Sequence, residues 1–217
     1  MSEVILPTPN TELTRSPRLG CFDRATIYQI LDEAFICHVG FVIDEQPFVI
    51  PTGYARCGDN LLIHGSAASR MLKAMAREVS VCVTVTLVDG LVLARSVFNH
   101  SMNYRSVVIL GRASVVEEHE KLAALRALTE HIIPQRWAEA RPPNQKELKA
   151  TTVLALSLQE ASAKIRSGDP IDDEEDYALE VWAGVIPFTL SPGEPIPDLR
   201  LKAGISVARS VSNYKRG

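Results

Sequence analysis

The segment LLIHGSAASRML, residues 61–72, places two hydroxyls, a glycine and an arginine where a predicted strand becomes a predicted helix. The first N–H groups of a helix lack partners within it and carry partial positive charge, so an anion is stabilised there. Ser66 and Ser69 add hydroxyl donors, and Arg70 adds a guanidinium that binds phosphate through two hydrogen bonds. Gly65 leaves space for the anion. The segment predicts a phosphate site, and a capped helix with a surface arginine is the alternative.

Histidine and cysteine spacing gives no pattern of a metal-ion site. His64 lies at the edge of the predicted phosphate site, but the five histidines include no HxH or HExxH pair. The four cysteines form no CxxC or CxxH pair. We therefore expect no metal-ion site. Cys37 and Cys82 lie in apolar runs, where we expect buried, reduced thiols.

A second set of polar residues, Tyr104, Arg105 and Ser106, begins a long apolar strand. Arg105 would share one face of that strand with Val107, and Ser106 would lie on the other face. The functional hypothesis is a second phosphate donor beside the first one. The alternative is an arginine at the end of a strand, with its charged group in solvent.

A proline interrupts the strand-like run Val49, Ile50, Pro51 and Thr52. Proline donates no hydrogen bond to a neighbouring strand, so it marks an edge or a bulge. A bulge would direct backbone groups towards a ligand. An ordinary kink in a barrel strand explains the same residues equally well.

Composition and missing motifs exclude several classes of function. The chain of 217 residues has a net charge of -3, which argues against a general binder of nucleic acid or membrane surfaces. There is no GxSxG, GxGxxG or GxxxxGK[ST] motif for a hydrolase, Rossmann or Walker site. No run approaches the roughly 18 apolar residues of a membrane span, and the N-terminus lacks the features of a secretory signal. We expect a cytoplasmic protein.

The elements around these residues predict a mainly β domain. A helix should begin after Asp23 as N-cap, and the Asp89–Gly90 pair predicts a tight turn. Segment 167–176 is acidic and should be solvated. The predicted strands are 36–43, 47–56, 60–65, 80–88, 104–117 and 151–158, and the predicted helices are 66–79 and 118–140. Short strands between turns favour a closed antiparallel barrel with helices outside.

Taken together, the chain resembles the FMN-binding split-barrel superfamily. Within it, the chain is similar to the flavin-nucleotide-binding branch of the pyridoxamine 5′-phosphate oxidase-like proteins, which includes nitroimidazole-resistance reductases. The matching segments span most of residues 37–187 in the family's order; they are CHVGFVIDEQPFVIPTGYAR, LLIHGSAASRMLKAM, VCVTVTLVDGLVLARS, HSMNYRSVVILGRA and DDEEDYALEVWAGVIP.

The resemblance implies a six-stranded antiparallel split barrel, and a homodimer with FMN in a cleft between subunits. Ser69 and Arg70 match the family's phosphate-binding Ser-Arg pair, with His64 and Ser66 just ahead of it. The family resemblance implies three further contacts to the flavin. Arg105 and Ser106 would lie on a strand that faces the flavin, the backbone of residues 49–52 would run along the edge of the isoalloxazine ring, and Trp182 would cover the ring. The expected organisation is an arm at 1–20, the FMN-binding domain at 21–190 and an extension at 191–217.

The expected function is an FMN-dependent oxidoreductase that takes electrons from NAD(P)H and acts on a small planar substrate, such as a nitroaromatic or quinone. A true pyridoxamine 5′-phosphate oxidase, which oxidises vitamin B6, is the less favoured activity. Met71 stands where those oxidases have a lysine, and the strand PFVIPT lacks the Arg and the Lys that they carry there. The alternative outside catalysis is a flavin or haem carrier, or a regulator, with His64 or His100 as an axial haem ligand.

Overall fold

The structure, a computed structural model, describes residues 3–215. The first two residues of the predicted arm and the last two of the predicted extension lie outside that range. Within it are nine strands and five short helices. In chain order these are β1 Gly20–Cys21, α1 Arg24–Glu33, β2 Ile36–Ile43, β3 Gln46–Cys57, β4 Asn60–Ser66, α2 Arg70–Met75, β5 Ser80–Leu93, β6 Ser101–Val115, α3 Lys121–Ile132, α4 Gln145–Ala150, β7 Thr151–Ser157, β8 Ala161–Arg166, β9 Gly184–Pro187 and α5 Arg209–Ser212.

Six of the strands close into an antiparallel ring in the order β4, β3, β2, β5, β6, β7 and back to β4. The first part of β6 also pairs with β8, which pairs with β1, and the end of β5 pairs with β9. This ring confirms the predicted split barrel. Because β6 pairs with β8 near its start and with β7 only at its end, the ring is split along that strand.

The barrel interior is aliphatic. Strand β5 alternates as predicted, with Val81, Val83 and Val85 buried on one face. Full burial of one such side chain stabilises the fold by about 1.5–3 kcal/mol. Cys37 is buried as predicted, and burial raises the pKa of its thiol to about 12. The prediction for Cys82 is wrong, because it lies on the other face of β5 and is exposed.

Helix α1 begins where the sequence predicts. The side chain of Asp23 accepts a hydrogen bond from the backbone N–H of Thr26 at 2.9 Å and caps the helix. Ile27, Ile30 and Leu31 are buried against the barrel. The cap and the apolar spacing together fix the position of α1 on the sheet.

The predicted tight turn at Asp89–Gly90 is wrong. Strand β5 continues through both residues, with a bulge in its pairing to β6 between Val88 and Gly90. A Cβ at Gly90 would lie 2.6 Å from the carbonyl oxygen of Ile186 in β9. Glycine is therefore needed at position 90 for the close approach of β9. The Asp-Gly pair, which usually marks a turn, is explained here by that approach.

The predicted helix 118–140 is shorter in the structure. Helix α3 ends at Ile132, and the next residue, Ile133, has φ -135° and ψ 99°. A residue before proline is forced out of helical conformation, so Pro134 ends the helix. A single 3-10 turn, Arg136–Ala138, is all that follows before α4.

The acidic segment 167–176 is not simply solvated. Asp172 is 8% exposed and accepts hydrogen bonds from the backbone N–H groups of Arg95, at 3.0 Å, and Ser96, at 3.1 Å. Burial alone would raise the pKa of Asp172, but these donors outweigh it and hold that pKa below its ordinary value. The segment therefore anchors the connection between β5 and β6.

Candidate functional site

The two serines of the corner after β4 are positioned by local backbone contacts. The Ser66 hydroxyl oxygen accepts a hydrogen bond from the backbone N–H of Ala68 at 3.2 Å. Ser69 is the N-cap of α2, and its hydroxyl accepts from the N–H of Leu72 at 3.5 Å. Both hydroxyls act as acceptors in these contacts, so each O–H remains able to donate to a ligand.

The close packing of α2 on β4 gives a reason for a glycine at position 65, independent of any bound ligand. A Cβ at this position would lie 3.1 Å from the Cδ1 of Leu72, a buried residue of α2. A larger residue here would require the Leu72 side chain to shift by a few tenths of an ångström. Behind the corner, the N–H of Ala67 donates to the carbonyl of Ala150 at 2.9 Å, which ties the corner to the start of β7.

Arg70 is exposed at the first position of α2, and its Cζ lies 4.3 Å from the centroid of the Phe48 ring in β3. Within residues 3–215 no carboxylate lies within salt-bridge distance of it. The ring orients the guanidinium without neutralising it. Arg70 therefore presents an uncompensated positive charge beside the corner.

A cleft of about 480 Å³ lies beside α2, and it contains more positive charge than the sequence analysis identified. Arg70, Lys73 and Arg77 line it, together with one acid, Asp44. The sequence analysis does not identify Lys73, which lies in α2 three residues after Arg70, or Arg77, which lies in the turn just after the helix. Three cations against one carboxylate make this cleft suited to an anionic ligand.

Residues 49–52 lie on a half-paired part of β3. They pair in continuous register with β2, and β4 joins β3 only from Tyr54 onwards. Within the described chain the other edge of residues 46–53 has no strand partner, so Pro51 marks an edge and not a bulge. Val49 is 68% exposed and Pro51 is exposed, whereas Ile50 packs against the core. Because Phe48 contacts Arg70, this open edge lies beside the corner.

Arg105 is held by two carboxylates. Its Nη2 lies 2.7 Å from Glu33 of α1 and 2.7 Å from Asp89 of β5, and its other nitrogens contact the same two acids. Hydrogen bonds to Glu33 and then to Asp89 raise the pKa of Arg105. The neighbouring Ser106 hydroxyl donates to the carbonyl of Lys164 at 3.4 Å. The guanidinium is thus committed to protein acids, unlike that of Arg70.

Two of the predicted groups lie away from the corner within one chain. Tyr104–Ser106 pairs with β5 and β8, whereas the corner follows β4, which pairs with β3 and β7. Trp182 precedes β9, is 68% exposed and packs on Gly184, where a Cβ would lie 3.0 Å from the indole. The structure therefore brings together the corner and residues 49–52, and leaves the other two groups on other strands.

A second cavity, of about 480 Å³, lies on the outer face of β4 and contains His64. The neighbouring protein desolvates the imidazole and lowers the pKa of His64, which favours the neutral form. A neutral imidazole is the form that ligates a metal. The other walls are mostly apolar and come from α3, the α3–α4 connection and β7; they include Leu125, Leu128, Ile132, Ile133, Trp137, Pro143 and Thr151.

Two other histidines are committed to backbone contacts. The Nδ1 of His100 accepts the N–H of Ala94 at 3.2 Å, so in the neutral form its Nε2 carries the proton. The Nε2 of His131 lies 2.8 Å from the carbonyl oxygen of Ala34 and donates to it. Of the two haem-ligand candidates from the sequence, the geometry favours His64 over His100.

Comparison with protein-family models assigns the chain to a family. The model described as pyridoxamine 5′-phosphate oxidase matches residues 23–165. The chain belongs to this family. Its members share the flavin-binding split barrel, which is the architecture seen here. None of the curated protein sequences matches the chain.

Two solved structures of this family are similar over nearly the whole chain. The flavocytochrome Anf3 from Azotobacter vinelandii is 42% identical, with 97% of this chain and 99% of that chain covered, at a TM-score of 0.92. An FAD and haem binding protein from Mycobacterium smegmatis is 38% identical, with 91% and 98% covered, at a TM-score of 0.89. Both similarities extend beyond the segment that the family model matches.

A more distant structure shares the fold alone. A proposed 5-nitroimidazole antibiotic resistance protein from Bacteroides thetaiotaomicron is 21% identical, with 67% of this chain and 86% of that chain covered, at a TM-score of 0.57. The described residues also contain neither a membrane-spanning helix nor a cluster of metal ligands. Every helix in the part of the chain that the structure describes is too short or too polar to cross a bilayer. Within residues 3–215 there is also no group of three His, Cys, Asp or Glu placed to hold a metal ion.

Proposed function

We propose that this protein is a redox protein that binds a flavin nucleotide beside α2 and a haem in the His64 cavity. The observation that carries the proposal is the placement of two sites on one strand. His64 and Ser66 are two residues apart in β4 and so lie on the same face of it. The 42% and 38% identical relatives are named as a flavocytochrome and as an FAD and haem binding protein, which supports the same pair of cofactors.

For the flavin, the corner supplies the phosphate ligands. Arg70 offers a guanidinium with no acid within salt-bridge distance among the described residues, and Ser66 and Ser69 offer hydroxyl donors. Lys73 and Arg77 add two more cations in the same cleft. FMN, the cofactor expected from the sequence, has one phosphate, whereas FAD has two. Because the cleft holds three cations, and the 38% identical relative is an FAD binder, we propose FAD.

For the haem, His64 would supply a ligand to the iron. Partial desolvation lowers the pKa of its imidazole, and the apolar side chains of α3 and Trp137 would pack against the macrocycle. Arg141 lies at the wall of the same cavity and pairs with Glu147 at 2.6 Å, so its charge is compensated within the cavity wall. These residues fit a single-histidine haem site.

The chain's own residues bind and orient the two groups, and no side chain acts as acid or base in this account. When bound, the flavin would supply two-electron and the haem one-electron redox chemistry. β4 holds both sites to the rigid ring of the barrel.

We propose an oxidoreductase that takes electrons from NAD(P)H and reduces a small planar acceptor. A non-catalytic carrier of the two cofactors is the alternative, and a true pyridoxamine 5′-phosphate oxidase is less favoured because Met71 replaces a lysine.

We also propose that the protein is a homodimer in the cytoplasm, with the flavin at the subunit interface. The proposed C-terminal extension carries large apolar side chains in solvent, including Ile196 at 93% and Leu199 at 104% exposure. Residues 188–208 form no helix or strand. Burying such side chains on a second copy would remove apolar area from water. Light scattering coupled to size-exclusion chromatography measures the molar mass of the purified protein. A mass of one chain at the concentration used in the binding assays contradicts the dimer.

Anaerobic reduction tests the function directly. The purified protein is mixed with NADPH, and the flavin absorption and the haem Soret band are followed in the same sample. Bleaching of the flavin followed by a ferrous haem spectrum supports an oxidoreductase with two coupled cofactors. Bands that stay unchanged with NADPH and with NADH, yet respond to dithionite, would favour the carrier.

A further inference from the structure

A third cleft, of about 660 Å³, lies between the end of α3 and the C-terminal residues. Ile132 and Ile133 form one wall, and the opposite side consists of residues 192–195 and the region of α5. Most of the lining is apolar and includes Pro192, Pro195, Val207 and Val211. A cleft of this size and composition is typical of a site for a small organic molecule.

The C-terminal wall is fastened in place. Ser210 of α5 is 4% exposed, and its backbone N–H and hydroxyl both donate to the carboxylate of Glu139, the N–H at 3.3 Å. The hydroxyl contact and the N–H contact lower the pKa of Glu139, so the acid is ionised when the wall is docked. Val211 is the next residue along the chain. The cleft is therefore bounded by an anchored segment.

Two polar side chains of the lining make no hydrogen bond to protein in the described range 3–215: the solvent-exposed carboxylate of Glu194 and the hydroxyl of the half-buried Tyr214. The third polar side chain, Ser212, donates to the carbonyl of Arg209 at 3.3 Å. A carboxylate accepts and a phenol donates or accepts, so the two groups complement a ligand that carries a hydroxyl.

We propose that this cleft binds an apolar ring molecule that carries a hydroxyl group, a phenol or a hydroquinone. The ring packs against the isoleucine and proline walls, the ligand hydroxyl donates to Glu194, and the Tyr214 hydroxyl donates to the ligand oxygen. The cleft shares Ile132 and Ile133 with the His64 cavity, so the site lies directly beside the proposed haem site. The proposal does not depend on the haem being present.

The test measures binding of 2-naphthol to the purified full-length protein, with 2-methoxynaphthalene as the matched probe that cannot donate a hydrogen bond. We expect 2-naphthol to bind about threefold to tenfold more tightly, since a hydrogen bond to a solvated group contributes about 0.5–1.5 kcal/mol. Glu194→Gln should remove most of that preference, and Tyr214→Phe should weaken 2-naphthol about threefold to tenfold. Glu180→Gln, an exposed acid outside the cleft, is the control that should change nothing.

Val211→Trp fills the cleft and should abolish binding of both probes. Equal affinity for the two probes, or unchanged binding in Val211→Trp, overturns the proposal; if Val211→Trp does not fold, Glu194→Gln and Tyr214→Phe decide. Binding only after haem extraction also overturns it, because the cleft would then be part of the haem cavity. Flavin and haem contents of each sample are measured separately, so failure of the proposed function is distinguishable from failure of this site.

Discussion

The guanidinium of Arg70 stacks over the ring of Phe48, with 4.3 Å between its Cζ and the ring centroid. This contact joins the first turn of α2 to the open edge of β3, two regions that the sequence analysis identified separately. A cation over an exposed ring contributes about 0.5–1 kcal/mol and leaves the charge available to an anion. The Arg70–Phe48 contact therefore orients the guanidinium of Arg70, and a phosphate that binds there would meet a positioned donor.

Arg70→Ala should weaken flavin binding about tenfold or more, since a bidentate charge-assisted contact is lost. Titration of flavin-free protein with FAD and FMN measures the change, and circular dichroism checks the fold. Arg126→Ala, an exposed arginine of α3, is the matched control. Wild-type affinity in Arg70→Ala would place the phosphate elsewhere.

The double variant Lys73→Gln and Arg77→Gln distinguishes the two flavins. If these cations bind a second phosphate, affinity for FAD should fall about tenfold, while affinity for FMN should change much less. The same titration provides both numbers. An equal loss for FAD and FMN would mean that the two side chains act only through the net charge of the cleft.

Arg105→Ala should act mainly on stability. The change leaves Glu33 and Asp89 as neighbouring carboxylates without their shared cation, which should lower the free energy of unfolding by roughly 1–3 kcal/mol. Urea unfolding measures this, again with Arg126→Ala as control. The expectation from the sequence that Arg105 contacts the flavin is tested by the same variant: a loss of flavin affinity as large as that of Arg70→Ala would support it.

His64→Ala should abolish haem binding and leave flavin binding intact, because the proposed haem ligand is His64 of β4, whereas the proposed phosphate ligands are Ser66, Ser69 and Arg70 at the β4–α2 corner. Absorption spectra after haem reconstitution measure both contents. His119→Ala, an exposed histidine 76% accessible at its side chain, is the control. Retention of haem in His64→Ala, with loss in His100→Ala, would move the axial ligand to His100.

The stability of the wild-type protein should fall in acid through Asp172. Its folded-state pKa lies below the unfolded value, so its stabilisation is present above the unfolded pKa of about 3.9 and is lost as the pH falls through the folded pKa. Asp172→Asn should lower the Tm at neutral pH and should flatten the acid dependence. Asp173→Asn, an exposed neighbour, should reproduce the wild-type curve.

Much of the barrel could be predicted from the sequence because local pattern and tertiary environment agree there. β2 has the predicted bounds, β5 buries its valine face, and Asp23 caps α1. Each of these depends on alternation or capping, which neighbouring residues determine. The corner before α2 was identified for the same reason, since its serines, glycine and arginine are consecutive.

The rest depends on contacts distant in sequence. Arg105 meets Glu33, which is 72 residues away, so no local pattern reveals that its charge is already compensated. Gly90 is required by β9, nearly a hundred positions along the chain, and therefore gives a false turn pattern. The cavity around His64 forms only when β7 pairs beside β4 and α3 packs against them. Lys73 could have been found from helical spacing.

The central claim is that one chain carries both a flavin and a haem on either side of the β4–α2 corner. The most direct measurement is the cofactor content of the purified protein, with released flavin identified by mass and haem quantified from its reduced pyridine complex. The account predicts equimolar FAD and haem, one of each per chain, with haem absent from His64→Ala. Flavin without haem in wild-type protein that has been supplied with haem, or haem without flavin, would contradict it.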